Sequence, residues 1–240
     1  MTYSAGVADL VSYSLDNKVA VVTMDDGKAN ALSRPMIDAV TAALERAEGE
    51  ASAIVLAGRT DRFCAGFDLR VMMSGPDGAK DLLRAGSALL MKLYGATIPL
   101  VIACTGHALA GGALVVLTGD YRVGAAGAYR IGLNEVSLGM PVPVLAMELA
   151  RDRLSKRALV QATLLAQIYD PDTAVQAGYL DAVAPADQVL ERARAEAARL
   201  GALSRSAFRA TKTRLRGKTI AYISETLDSD MRDLMIPTAT

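Results

Sequence analysis

The chain has 240 residues, 52% of them apolar, and its 26 basic residues balance its 26 acidic ones. This length fits one domain with room for a small C-terminal extension. Balanced charge leaves no overall field to recruit nucleic acid or an anionic membrane, and no run approaches the roughly 18–20 uninterrupted apolar residues of a membrane span. The N-terminus lacks a basic region followed by an apolar stretch, so we expect no signal peptide, a cytoplasmic location, and buried thiols at Cys64 and Cys104.

The first half of the chain alternates strand and helix signals. Residues 10–15 and 19–24 predict a hairpin, and Ser33 is a plausible N-cap for the helix that follows. Residues 54–57 predict the next strand and residues 81–94 the next long helix. The apolar stripe of the first helix consists of Met36, Ile37, Val40, Leu44 and Ala47.

Residues 100–104 predict another strand, which is followed by a helix through Leu114 and Leu117 and a strand at 121–123. Beyond residue 140 the strand signal fades. The sequence therefore predicts an α/β protein, with a sheet-forming core of about 140 residues and a helical region of about 100. The predicted helices of that region are residues 143–149, 156–165, 170–177, 186–200 and 204–215.

Two glycine-bearing loops carry the strongest functional signal. Residues 62–69 and 105–112 each follow a short apolar strand and each lead into a predicted helix. The unpaired amides at a helix start can hold developing negative charge, although either loop alone is also typical of an ordinary turn. Two such loops facing each other would form an oxyanion hole, which indicates chemistry on a carbonyl group.

Taken with further motifs, these loops resemble the crotonase, or enoyl-CoA hydratase/isomerase, superfamily. The resemblance runs from about residue 11 to at least residue 189. It implies a spiral of ββα turns over residues 1–185, a C-terminal helical trimerisation region at 186–240, and homotrimers or pairs of trimers that bind acyl-CoA thioesters. Coenzyme A then enters as part of the substrate, with no separate cofactor and no metal. The motifs are residues 28–32 (KANAL), 63–69 (FCAGFDL), 106–112 (GHALAGG), 131–139 (IGLNEVSLG) and 174–183 (AVQAGYLDAV).

The resemblance assigns roles to three positions. Phe67 and Gly111 would donate their backbone amides to the thioester oxygen, where the loss of one donor costs about 10²–10³ in rate. Glu135 falls on one of the two carboxylate positions of the superfamily and would remove a proton beside the thioester carbonyl. Its apolar neighbours would desolvate it and raise its pKa. A solvent-facing glutamate at a strand end is the plainer interpretation.

The sequence departs from the two-carboxylate hydratases at Leu114, which stands where they carry the other glutamate. Leucine neither holds nor activates water, so a 1,3-proton shift by Glu135 alone, from 3-enoyl-CoA to 2-enoyl-CoA, fits better than hydration. An apolar acyl pocket would be lined by Leu114, Leu133, Pro141 and Val142. The alternatives are a hydratase or other enolate chemistry with a second acid such as Glu148, and a non-catalytic acyl-CoA binding protein. A nicotinamide enzyme fits poorly, because no G-x-G-x-x-G follows the first strand.

Further predictions concern coenzyme A. Arg205, Arg209, Lys212 and Arg216 share one helical face; we expect most of them to be solvated and one or two to reach the coenzyme phosphates. His107, the only histidine, is predicted to be structural, and Asp68 a partner of a helix N-terminus. The residues expected to bind coenzyme A are Lys28, Ala29, Ala31, Ala65, Gly66, Asp68, Leu69 and Arg70.

Overall fold

The computed structural model describes residues 10–234, with side chains to residue 232. It contains two sheets that share one spiral of chain. Within the described residues, no helix is long and apolar enough to cross a membrane. The strands are β1 (Val11–Asp16), β2 (Val19–Met24), β3 (Ala53–Ala57), β4 (Asp61–Cys64), β5 (Leu100–Cys104), β6 (Gly106–Leu109), β7 (Tyr121–Ala125), β8 (Ile131–Gly132) and β9 (Ala182–Ala184).

The larger sheet has the order β1-β2-β3-β5-β7-β9, and the smaller one has the order β4-β6-β8. Only the β1–β2 hairpin pairs antiparallel; every other named pair is parallel. Three successive strand pairs, β3–β4, β5–β6 and β7–β8, each place one strand in each sheet. This repeat is the predicted ββα spiral, although sequence patterning alone did not reveal the short strands of the smaller sheet.

The helices surround these sheets, and several begin and end where the sequence predicts. Ser33 caps the first helix by accepting a hydrogen bond from the Met36 amide, and Asp170 accepts one from Thr173. Gly178 ends that later helix at φ +99°, a left-handed conformation suited to glycine. The helices are α1 (Arg34–Glu50), α2 (Leu69–Met72), α3 (Pro76–Tyr94), α4 (Gly111–Thr118), α5 (Val144–Arg153), α6 (Lys156–Thr163), α7 (Pro171–Ala177), α8 (Val189–Gly201) and α9 (Arg205–Leu234), with a 3₁₀ turn at Val136–Leu138.

The larger sheet is covered on both faces, which explains its apolar strands. Alternate residues point to opposite faces, so Val55 and Val101 pack with α8, whereas Ile54 and Ile102 join the main core with α1 and α3. The two cysteines, Cys64 and Cys104, are buried free thiols, as predicted.

Helix α9 runs without interruption for 30 residues, well beyond the predicted 204–215. Its Lys212 and Arg216 are buried, and both form ion pairs with Asp120, Lys212 Nζ at 2.8 Å and an Arg216 nitrogen at 3.0 Å. Arg216 also donates to the carbonyl oxygens of Tyr94 and Thr118. The prediction of a solvated face is therefore wrong for these two residues, which hold α9 to the core, while Arg205 and Arg209 are exposed.

Candidate active site

The predicted loops and Glu135 follow the three parallel strands of the smaller sheet. Cys64 pairs with Ala108, and Ala108 pairs with Ile131. Phe67 and Gly111 each come three residues after their paired position, and Glu135 comes four residues after its own. Because the carboxyl ends of parallel strands meet at one edge of a sheet, the strand register brings all three to a common edge.

The two glycine loops touch each other through their backbones. A Cβ built on Gly66 would lie 3.2 Å from the Gly111 amide nitrogen and 3.0 Å from the Leu109 carbonyl oxygen. A Cβ on Gly112 would lie 2.0 Å from the Cys64 carbonyl oxygen. Both loops thus need residues without side chains, because any added carbon would separate the backbones.

The segment at residues 29–32 fixes the direction of the Phe67 amide. Leu32 donates its N–H to the Gly66 carbonyl at 2.8 Å, and Asp68 donates its N–H to the Leu32 carbonyl at 3.3 Å. Successive amides alternate in direction along extended backbone, so the Phe67 N–H faces away from Leu32. Among residues 10–234, no protein acceptor takes a hydrogen bond from the Phe67 amide.

Gly111 begins α4, where the first amides of a helix have no intrahelical acceptor. The preceding residue, Ala110, has φ +48° and ψ −121°, a conformation that residues with a side chain rarely adopt. Its N–H donates to the Gly132 carbonyl at 3.0 Å, which ties the turn to β8. Strain of this kind is held where surrounding contacts over-determine the backbone, as they do here.

Glu135 is buried rather than solvent-facing, with 7% of its surface exposed. Burial raises the pKa of its carboxyl group, and the nearby amides of Glu135 itself and Asn134 partly offset this effect. Its Oε2 has no hydrogen-bond partner within the described part of the chain. A desolvated carboxylate with an unused oxygen is suited to accept a proton.

Leu114 lies on α4, one turn after Ala110, and its amide donates to the Ala110 carbonyl at 3.1 Å. Its side chain is buried in the main core. The alternative acid suggested by the sequence, Glu148, lies on α5 and forms an ion pair with Arg151.

A profile of the enoyl-CoA hydratase/isomerase family matches residues 14–235. The chain belongs to the enoyl-CoA hydratase/isomerase family. It is 32% identical over 222 residues to human mitochondrial enoyl-CoA delta isomerase 1, with 90% of this chain and 74% of that protein covered.

Solved structures agree with this family assignment. An enoyl-CoA hydratase/isomerase family protein from Pseudomonas syringae superposes with a TM-score of 0.93 at 37% identity, covering 96% of this chain and all of that one. A structure named as an enoyl-CoA isomerase from Mycobacterium tuberculosis gives a TM-score of 0.88 at 40% identity, covering 92% of this chain and 97% of that one. A second structure of the same mycobacterial protein is named as a probable enoyl-CoA hydratase. Structures with hydratase names are similar too, for example one from Mycobacterium ulcerans. The resemblance and the crotonase fold are therefore confirmed.

The residues predicted to bind coenzyme A lie along the two neighbouring segments 28–32 and 65–70. Lys28, Ala65, Leu69 and Arg70 are exposed, Ala29, Ala31 and Asp68 are partly buried, and Gly66 is buried. Asp68 caps α2 by accepting a hydrogen bond from the Arg70 amide, as predicted for a helix N-terminal partner.

Of the predicted pocket residues, Leu114 and Leu133 are buried in the main core, and Val142 packs against it partly buried. Pro141 is exposed. His107 accepts a hydrogen bond at Nδ1 from the Arg130 amide, consistent with the predicted structural role. Burial together with the charges of Arg62 and Arg130 lowers its pKa.

Sequence reasoning missed the contribution of Asn30. This residue is completely buried, and its side-chain nitrogen donates to the carbonyl oxygens of Met24, Arg62 and Phe63. These bonds hold the 28–32 segment against the end of β4, directly before the Phe67 loop. The available signal was an asparagine between two alanines, since asparagine tolerates a left-handed backbone such as the φ of +52° that Asn30 adopts.

Proposed function

We propose that the protein is an isomerase that converts 3-enoyl-CoA to 2-enoyl-CoA. The observation that carries the proposal is Glu135, the one acidic residue that is buried in the described part of the chain, at the sheet edge where two loops have unpaired backbone amides. Leu114 stands in the place of a second acid. The name of the human relative, enoyl-CoA delta isomerase 1, supports it, as does the solved structure of a human mitochondrial delta3-delta2-enoyl-CoA isomerase, whereas the mycobacterial protein carries both an isomerase and a hydratase name.

In the proposed mechanism, the thioester oxygen accepts hydrogen bonds from the amides of Phe67 and Gly111. Glu135 removes a proton from C2, and the electron pair of that C–H bond forms a dienolate stabilised by the two amides. The protonated Glu135 then returns the proton at C4, so the double bond moves from C3–C4 to C2–C3. One carboxyl group serves both steps, and no water is consumed.

The raised pKa of Glu135 fits this role, because a base with a higher pKa has a greater affinity for the C2 proton. The buried leucine at position 114 fits it too, because an apolar wall keeps water from adding to the enoyl product.

The decisive assay follows the conversion of 3-enoyl-CoA to 2-enoyl-CoA by the wild type and by Glu135→Gln. We expect the variant to lose about 10²–10⁴ in kcat. Glu148→Gln is the matched control, because Glu148 is ion-paired with Arg151 on α5; it should keep wild-type activity. An unchanged rate in Glu135→Gln would remove Glu135 from the mechanism.

The same preparation tests the alternatives. Rapid addition of water to crotonyl-CoA would favour a hydratase, and a loss of that activity in Glu148→Gln would identify the second acid. Tight binding of acyl-CoA esters with no turnover of any thioester would favour a binding protein.

We also propose that Lys28 and Arg70 contact the coenzyme A phosphates, since both are exposed beside the loop segments. Arg205, Arg209 and Arg214 line a groove of about 770 Å³ on α9 and are the remaining candidates. Alanine at each position should raise KM for the CoA ester more than it lowers kcat.

Assembly as a homotrimer through residues 186–240 and a cytoplasmic location stay predictions. Sedimentation and cell fractionation test them.

A further inference from the structure

The loop of residues 25–33, between β2 and α1, holds the proposed Phe67 donor from one side. Leu32 and Phe67 form an isolated parallel bridge. In this bridge Leu32 donates to the carbonyl of the residue before Phe67 and accepts from the amide of the residue after it. Two residues earlier, the Ala65 amide donates to the Ala29 carbonyl at 3.0 Å. A displacement of Leu32 therefore displaces the Phe67 amide.

Asn30 fixes the 25–33 loop from the inside. It is completely buried, and its side-chain oxygen accepts a hydrogen bond from the Asp26 amide at 3.0 Å. Its side-chain nitrogen uses both of its hydrogens, so that every polar atom of the side chain is engaged. One amide group thus joins the loop to the end of β2 and to β4. The three acceptors are the carbonyl oxygens of Met24 at 2.9 Å, Arg62 at 3.1 Å and Phe63 at 3.2 Å.

Asp26 holds the same loop from the outside. Its partly exposed carboxylate accepts hydrogen bonds from the amides of Lys28 at 2.7 Å, Asn30 at 2.9 Å and Ala31 at 3.3 Å. Asp26 and Asn30 are therefore bonded in both directions, since the backbone amide of each donates to the side chain of the other. Bonds to a charged acceptor are stronger than those between neutral groups. The pair clamps the loop directly before Leu32.

We propose that Asn30 is a positioning residue for the oxyanion hole: by holding Leu32 in place it sets where the Phe67 amide lies, with Asp26 as its outer partner. The inference rests on the proposed function, since it takes the Phe67 amide as a donor to the thioester oxygen. Asn30 is completely buried, so it acts through the backbone rather than on the substrate. A displacement of about 1 Å near the reacting group costs about 10²-fold in rate.

The experiment compares two variants of the clamp with a control. Asn30→Gly loses the side-chain bonds alone, because glycine adopts the positive φ of this position without strain. Asp26→Ala loosens the same loop from its partly exposed side. Thr97→Val is the matched control, because the Thr97 hydroxyl holds a different loop, before β5, by donating to Glu48 at 2.9 Å.

The first measurement is the carbonyl stretching frequency of ¹³C-labelled butyryl-CoA bound at saturation, read by isotope-edited infrared spectroscopy. Hydrogen bonds to a carbonyl oxygen weaken its double bond and lower this frequency. We expect the frequency in the wild type to lie below its value in water. It should rise toward that value in Asn30→Gly, rise less in Asp26→Ala, and keep the wild-type position in Thr97→Val.

The second measurement separates the oxyanion hole from coenzyme binding, because Lys28, Ala29 and Ala31 of the same loop are predicted to bind coenzyme A. We expect Asn30→Gly to lower kcat for 3-enoyl-CoA by about 10²-fold. It should lower kcat/KM by the same factor for a 3-enoyl thioester of N-acetylcysteamine, which has no nucleotide to bind. Thr97→Val should keep wild-type values for both substrates.

The inference is overturned if Asn30→Gly leaves the carbonyl frequency unchanged, if its loss appears in KM for the CoA ester and vanishes with the short thioester, or if Thr97→Val gives equal shifts. If Asn30→Gly does not yield folded protein, Asp26→Ala decides by the same criteria. These outcomes are distinct from failure of the proposed function. Full activity in Glu135→Gln would reject the isomerase mechanism, whereas the infrared comparison requires no proton transfer and tests the Phe67 amide alone.

Discussion

The ring of Phe67 lies so close to Gly86 of α3 that a Cβ built on Gly86 would be 2.1 Å from the ring atom Cε1. The other side of the same ring faces Gly111, where an added Cβ would lie 3.1 Å from Cδ2. The residue whose amide is proposed to hold the thioester oxygen is therefore wedged between two glycines. The position of that amide depends on the space they leave.

Gly86→Ala tests this dependence. In a helix interior this change ordinarily stabilises by about 1 kcal/mol, but here the new methyl must displace the ring, and overpacking costs about 1–3 kcal/mol. We expect a lower Tm and a lower kcat for the 3-enoyl-CoA reaction. Phe67→Leu keeps the amide and shortens the side chain, so the double variant Phe67→Leu/Gly86→Ala should recover both quantities. If the double variant recovers neither Tm nor kcat, the contact between the Phe67 ring and position 86 is not the cause of the loss.

Gly66→Ala should impair the reaction through the backbone. Gly66 has φ +93°, and its added Cβ would press against Leu109 and the Gly111 amide. Displacing one donor should lower kcat by about 10²–10³. Gly49→Ala on α1 is the control, because a Cβ there meets nothing within 4 Å and should leave kcat unchanged. Equal kcat values for the two variants would contradict a role for the loop contact.

Glu135→Gln should be more stable than the wild type at neutral pH. Burial raises the pKa of Glu135 in the folded protein, so between its unfolded and folded pKa values folding takes up a proton. The unfolded chain binds fewer protons there, and stability falls as pH rises through this window. Removing the ionisable group should raise Tm by about 2–4 °C, equivalent to about 1 kcal/mol.

The check is a series of melting curves from about pH 4 to pH 8 for the wild type and Glu135→Gln. The gain in Tm should disappear at the acid end, where the native carboxyl is already neutral. If Glu135→Gln raises Tm by the same amount at every pH, the gain does not come from the ionisation of Glu135.

Asp120→Ala should destabilise the docking of α9 strongly. The carboxylate accepts from Lys212 Nζ and the Leu100 amide, and pairs with Arg216. Removing it leaves two cations buried without their shared partner, which typically costs about 3–5 kcal/mol in urea unfolding. Asp228→Ala, which breaks an exposed pair with Arg84, should change stability little. A similar loss of unfolding free energy in both variants would show that the ion pairs of Asp120 contribute no more to stability than the exposed pair of Asp228 does.

The two loops are predicted from local features, small residues that follow short strands and lead into helices. Glu135 is predicted through the family resemblance, because an acid among apolar neighbours does not by itself indicate a base. Lys212 and Arg216 were misjudged because helical spacing shows which residues share a face, but not what packs against it. The strands β4, β6 and β8 are only four, four and two residues long, too short to show a period. Asn30 reaches the end of β4 through hydrogen bonds to the carbonyl oxygens of Arg62 and Phe63, 32 and 33 positions later in the chain, which no local pattern encodes.

The smaller sheet also fixes the spacing at which the loops of the site begin. Neighbouring strands in any sheet stand about 4.8 Å apart, and this spacing is set by hydrogen-bond length rather than by side chains. The paired positions Cys64, Ala108 and Ile131 are therefore held at this spacing, and the loops that carry the site start from fixed points. A change of reaction is then most easily made by exchanging side chains on those loops.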